Sequence, residues 1–182
     1  MPDAFGKEEI LGLLEELGHF VRGPATLVLA GSAALILRDQ LNRATVDIDV
    51  IESRPDLGQL QEAIRGVERS AGAPAGWVSS SIQSYIDVLP PDYRRRVEAL
   101  GTFGAVRVEL VGRLDLIVMK LWGGTRRARD LQDLHILAPS FQELDFASGQ
   151  VERLRSIDAA RAERMEKLIQ HFRGDAPPPG DR

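Results

Sequence analysis

Ile10, Leu13, Leu14, Leu17 and Val21 recur at steps of three and four, with Lys7, Glu8, Glu9, Glu15 and Glu16 largely on the other side. Residues 7–21 are therefore expected to form an amphipathic helix, closed by Gly23-Pro24. Thr26 to Ala30 is a short apolar run rich in strand formers. Gly31-Ser32 follows, and then Ala33 to Leu41, whose alanines and leucines favour helix, so this stretch predicts strand, tight turn, helix. From Thr45 to Ile51 apolar and polar residues alternate. A strand there places Val46, Ile48 and Val50 on one face and Asp47 with Asp49 on the other.

Downstream, Leu57, Leu60, Ile64 and Val67 keep helical spacing after Ser53-Arg54-Pro55, and Ala71 to Gly76 ends that helix in a loop. Residues 77–100 carry Pro90-Pro91 and Arg94-Arg95-Arg96 and read as loop with short helix. Val106, Val108 and Leu110 alternate with Arg107 and Glu109 in a further strand. Leu114 to Trp122 and Leu131 to Leu137 read as helices, Ser140 and Glu143 have capping-box spacing for a helix near residue 141, and one last helix is expected from Val151 to Phe172. The elements add up to an α+β protein with a small mixed β-sheet flanked by helices and with C-terminal helices. No composition shift marks a second domain, so residues 1–173 are expected as one domain, and 174–182, with three consecutive prolines, as a disordered tail.

The formal charge of −4 over 182 residues offers no global attraction for nucleic acid, so any such surface must be local. With no cysteine, disulfides, thiolate metal sites and a cysteine nucleophile are excluded, in keeping with a reducing cytoplasm. Three histidines argue against a histidine-rich metal site. Met1-Pro2-Asp3 begins without the basic residues of a signal peptide, and no apolar run nears the ~20 residues of a membrane span. A cytoplasmic location without membrane contact is expected.

Two carboxylates two apart on a strand lie about 7 Å apart and point the same way, which suits hard, oxygen-seeking Mg²⁺ and equally suits the solvent face of any strand. Upstream, Gly31-Ser32 opens a helix where backbone N–H groups can receive phosphate, or where glycine makes the turn and serine caps it. Together the two elements describe a phosphate site facing a metal site.

Gly31-Ser32 followed by Arg43-Ala-Thr-Val-Asp-Ile-Asp-Val50 resembles the first motif of the DNA polymerase β-like nucleotidyltransferases. The Arg-X-Thr-X-Asp-Ile-Asp form is similar to the minimal bacterial branch that includes AbiEii-like and MenT-like toxins of toxin–antitoxin systems. Leu116 to Leu121, with Lys120, and Arg127 to Leu134, with Asp130, resemble later motifs of that branch, and the resemblance spans roughly residues 5–137. It implies a nucleotidyltransferase fold in which Gly31, Ser32, Arg43 and Thr45 bind nucleotide. It further implies that Asp47 and Asp49 hold Mg²⁺, that Lys120 neutralises phosphate charge and that Asp130 is the later acidic catalytic position. The superfamily's third carboxylate has Glu109 as its candidate here, so Asp47, Asp49 and Glu109 are the expected metal ligands.

Lys120 lies among Leu116, Ile117, Met119 and Leu121, and it either faces phosphate or snorkels to solvent. Asp130 and Asp133, three apart, form either a catalytic pair or an ion-paired face with Arg126, Arg127 and Arg129. Those arginines and Arg94 to Arg96 either meet an RNA backbone or face solvent. Trp77 is either a base-stacking or a core residue. The expected activity is Mg²⁺-dependent transfer of a nucleoside monophosphate from an NTP to an acceptor hydroxyl on RNA, such as a tRNA 3′ end, or on protein, with a cognate toxin or antitoxin as partner. A second reading is a catalytically inactive module of the same fold that binds within a two-component complex. A metal-dependent phosphohydrolase is a third, which leaves Gly31-Ser32 unexplained.

Overall fold

A computed structural model describes residues 4–175 of the chain, which divide into two compact units. The first comprises the described residues up to Ile86 together with Asp92–Gly112, and the second comprises Asp87–Pro91 and the described residues from Arg113. Of the tail expected at 174–182, Gly174 and Asp175 belong to the last helix, and 176–182 lie outside the described residues, as do 1–3.

The first unit is a mixed five-stranded sheet with three helices. In chain order its elements are α1 (Lys7–Phe20), β1 (Ala25–Leu29), α2 (Gly31–Leu37), β2 (Ile48–Arg54), α3 (Leu57–Ala71), β3 (Val78–Ser79), β4 (Glu98–Phe103) and β5 (Val106–Leu110). The strand order is β3-β2-β1-β5-β4. β1 runs parallel to β5 and antiparallel to β2, so the central strand is paired along both edges. Leu27 and Leu29 of β1 share a buried face with Val108 and Leu110 of β5 and Val50 of β2, because residues opposite one another in a ladder point the same way. The apolar stripe of α1, Ile10, Leu13, Leu14 and Leu17, is buried as its periodicity predicts.

Between β1 and β2 the register passes from Val28↔Glu52 to Leu29↔Val50, leaving Ile51 as an extra residue. Such a bulge re-aims the side chains beyond it. Simple alternation would put Asp49 and Glu52, three apart, on opposite faces. The bulge puts them on the same one.

Two expectations are corrected in this unit. The strand foreseen from Thr45 begins only at Ile48, and Val46 is exposed, because Thr45 is drawn into an isolated bridge with Phe5 and the regular ladder starts after it. Residues 98–100, the end of the stretch expected as loop with short helix, instead open β4, which runs to Phe103. Its exposed edge carries no apolar alternation, yet Gly104-Ala105 is a two-residue hairpin turn with Gly104 at φ +57°, a conformation glycine adopts freely. A Cβ on Gly18 would lie 2.3 Å from the Phe103 carbonyl oxygen, so α1 seats directly on this hairpin.

The second unit is helical: α4 (Arg113–Gly124), α5 (Ala128–Leu137), α6 (Phe141–Ser148), α7 (Val151–Arg155) and α8 (Ala159–Asp175). α4 is buried from Asp115 to Gly124 and packs on α5, α6 and α8. The capping box at α6 is present, with Ser140 Oγ accepting from the Glu143 N–H and a Glu143 carboxylate oxygen accepting from the Ser140 N–H. The single last helix expected from Val151 is two helices, because Asp158 accepts from the Arg161 N–H at 2.9 Å and caps a new start. Ile157, read as part of the apolar stripe, is exposed at that break.

Candidate functional site

In the sheet unit, Gly31 is the hinge of the site. It opens α2 with φ +63°, and a Cβ there would lie 2.3 Å from an Asp49 carboxylate oxygen. Only glycine tolerates both demands, so the Asp49 side chain rests on the backbone of the strand-to-helix turn. The Ala30 N–H donates to the Asp49 carbonyl at 2.9 Å and fixes the two segments in register. Next to Gly31, Ser32 Oγ accepts from the Arg43 guanidinium at 2.7 Å, while a second Arg43 nitrogen donates to the Ala44 carbonyl at 2.9 Å. Gly31, Ser32, Arg43 and Asp49 are thus one cluster. Asp47 is half-buried, two residues before Asp49 and just outside β2.

Thr45 is buried, and its backbone exchanges hydrogen bonds with Phe5 at 2.6 and 2.9 Å. Its visible part is to pin the loop that carries Arg43 and Asp47.

Glu109 lies on the same sheet face as Asp49, level with Val28 and Glu52. Its carboxylate is drawn to Arg107, 2.8 Å from Nε, and to Arg94, 3.9 Å from Nη1, and Arg94 also donates to Glu52 at 2.9 Å. Among the described residues no three His, Asp or Glu side chains gather in a way that could hold a metal. Among the described residues Asp47, Asp49 and Glu109 do not gather, and Glu109 is instead engaged by Arg107 and Arg94. Of the Arg94–Arg96 run, Arg96 is spent on Asp92 at 2.7 and 2.8 Å. That pairing holds the exposed Asp92 carboxyl below the usual carboxylate range. Trp77 is fully buried, in the core.

The helical unit gathers the later motif residues. Lys120 is buried and donates to Asp130 and to Asp133, each at 2.7 Å. The Arg127 guanidinium lies 2.6 Å from the other Asp130 oxygen. A Cβ on Gly123 would lie 2.2 Å from that oxygen, so the glycine makes room for the Asp130 carboxylate. Lys120, Asp130 and Asp133 are buried together and the largely exposed Arg127 adds the second positive charge from the surface, which is how proteins keep buried charge tolerable. Asp133 was visible in the sequence as a face-mate of Asp130, but that both turn onto Lys120 was not.

The stretch 8–148 matches the family model described as "Nucleotidyltransferase of unknown function (DUF6036)". The chain belongs to that family. The match contains Gly31, Ser32, Arg43, Asp47, Asp49, Glu109, Lys120 and Asp130, and it extends through α6. The α+β expectation is met by the mixed sheet with its flanking helices, consistent with a nucleotidyltransferase fold. No curated protein and no solved structure matches the chain. Among the described residues no helix is long and apolar enough to cross a membrane.

Proposed function

We propose that this nucleotidyltransferase moves a nucleoside monophosphate from an NTP to an acceptor hydroxyl of RNA or protein, uses Mg²⁺, and works in the cytoplasm with a cognate toxin–antitoxin partner. The observation that carries the reading is the seating of the Asp49 carboxylate against the Gly31 turn. A glycine turn beside the Asp49 carboxylate, with Asp47 two residues upstream, fits a magnesium–triphosphate, since the phosphates can approach backbone N–H groups while acidic oxygens face the ion. Asp47 and Asp49 are the ligands in this reading. Bound Mg²⁺ supplies charge neutralisation on the triphosphate and on the leaving pyrophosphate.

The chain's own residues do the positioning. Ser32 and Arg43 receive phosphate oxygens, and the Phe5–Thr45 bridge holds their loop still. The acceptor oxygen then bonds to the α-phosphorus as the bond to the β-phosphate oxygen breaks, and the acceptor proton leaves to water.

A second reading, a catalytically inactive binding module of the same fold, is favoured by one observation: Glu109 is engaged by Arg94 and Arg107. One experiment separates the two. Purified protein is incubated with Mg²⁺, each labelled NTP in turn and total RNA, beside an Asp47→Ala/Asp49→Ala control. Label transferred by the wild type and lost by roughly a thousandfold in the control, about 4 kcal/mol at the barrier, supports catalysis. Absence of transfer to RNA and to the protein itself, from folded wild type, supports the module.

A further inference from the structure

We infer that the cleft between the start of α1 and the loop after α2 is a phosphate subsite, in which Lys7 and Arg43 receive the terminal phosphates of the NTP. The inference rests on the nucleotide reading of the Gly31 turn and adds a residue, Lys7, that no motif points to.

The cleft encloses about 500 Å³ and is lined by Gly6, Lys7, Ile36, Asp39, Asn42 and Arg43, among others. That volume lies within the range of small-molecule sites. Arg43 forms part of its wall and also donates to Ser32 Oγ at 2.7 Å, so one side chain links the cleft to the Gly31-Ser32 turn. The paired backbones of Phe5 and Thr45 clamp the first residues of α1 onto the same loop. Two cations from segments far apart in sequence thereby line one cleft, and one of them, Arg43, reaches the candidate phosphate turn. In a chain of net charge −4 such a local concentration is what anion binding needs.

Lys7 is held by Asp39 at 2.6 Å. The Asp39 side chain is 74% exposed, so solvent screens the pair and leaves it weak. A multiply charged phosphate chain can therefore displace it. Asp39 sits at φ +59°, a conformation that aspartate and asparagine tolerate better than most side chains. It acts as a parked counter-ion that keeps Lys7 over the cleft until phosphate arrives.

The test is calorimetric binding of inorganic tripolyphosphate with Mg²⁺ to the full chain, so no turnover is required. The wild type is expected to bind, Lys7→Met to bind about tenfold more weakly, equivalent to about 1.4 kcal/mol, and Asp39→Asn, which frees Lys7 and keeps the backbone preference, to bind about threefold more tightly. Thermal melts of both variants check folding. Absence of binding to wild type overturns the subsite, as does an affinity indifferent to both substitutions. Failure of the transfer reading gives a different pattern: no labelled product, yet tripolyphosphate binding that still depends on Lys7. A transfer-competent protein whose KM for NTP ignores Lys7→Met overturns the subsite alone.

Discussion

The sheet unit and the helical unit treat the same kinds of side chain in opposite ways. Asp47 and Asp49 are half-buried, Asp49 against the Gly31 turn, whereas Asp130 and Asp133 are buried and tied to Lys120. A partly solvated carboxylate can take up a cation from solution at little cost. A carboxylate already neutralised in a closed cluster cannot exchange its counter-charge without exposing the rest. Motif residues that look equivalent on paper are thus divided into a half-buried pair within reach of solvent and a buried set whose first effect is on stability.

The largest expected effect tests that division directly. Lys120→Met strands two buried carboxylates and is expected to destabilise the protein by about 3–5 kcal/mol in chemical denaturation. Asp47→Asn is expected to shift stability by no more than about 0.5 kcal/mol. Equal losses would erase the distinction between the two sites. Next comes Gly31→Ala, which forces a side chain into a left-handed backbone and onto the Asp49 carboxylate, at about 1–3 kcal/mol. Adding Asp49→Ala should recover the part due to the clash, and a fully additive double mutant would show that the turn and the carboxylate are not coupled.

Smaller effects sharpen the helical side. Ser140→Ala removes the α6 cap and is expected to cost about 1 kcal/mol by thermal unfolding. The pH dependence of stability should carry the mark of Glu143. Burial pushes its carboxyl up, but hydrogen bonds from Arg113 and from Ser140 outweigh that and hold it below its ordinary value of 4.5. A depressed acid stabilises the fold fully above about pH 4.5 and loses that contribution as pH falls through the folded value. Glu143→Gln should therefore flatten the acid limb of the stability profile, and an unchanged limb would remove Glu143 as its source.

How far the sequence carried this picture follows from the range of each interaction. Helical spacing marked α1, α3 and α4, and the Gly31-Ser32 and Asp-X-Asp signals marked the site, because both are local patterns written within a few residues. β4 escaped because an exposed edge strand with Gly101 shows no alternation, and the break before α8 escaped because apolar spacing continued across the Asp158 cap. The Lys120 cluster escaped in a different way. Each member was in view, but a lysine at a buried position is compatible with snorkelling or with pairing, and only the packing of α5 on α4 selects the second.

By itself, the sequence determined which segments can be helix or strand, where glycine must turn the chain and which carboxylates stand two apart. Tertiary structure decided everything that depends on residues distant along the chain: the bulge that turns Asp49 to the face of Glu52, the capture of Glu109 by Arg94 and Arg107, and the lining of one cleft by both Lys7 and Arg43. The physical reason is that backbone preference acts over a few residues, while the partner of a charged side chain is settled by which surfaces the fold brings within a few ångströms of it.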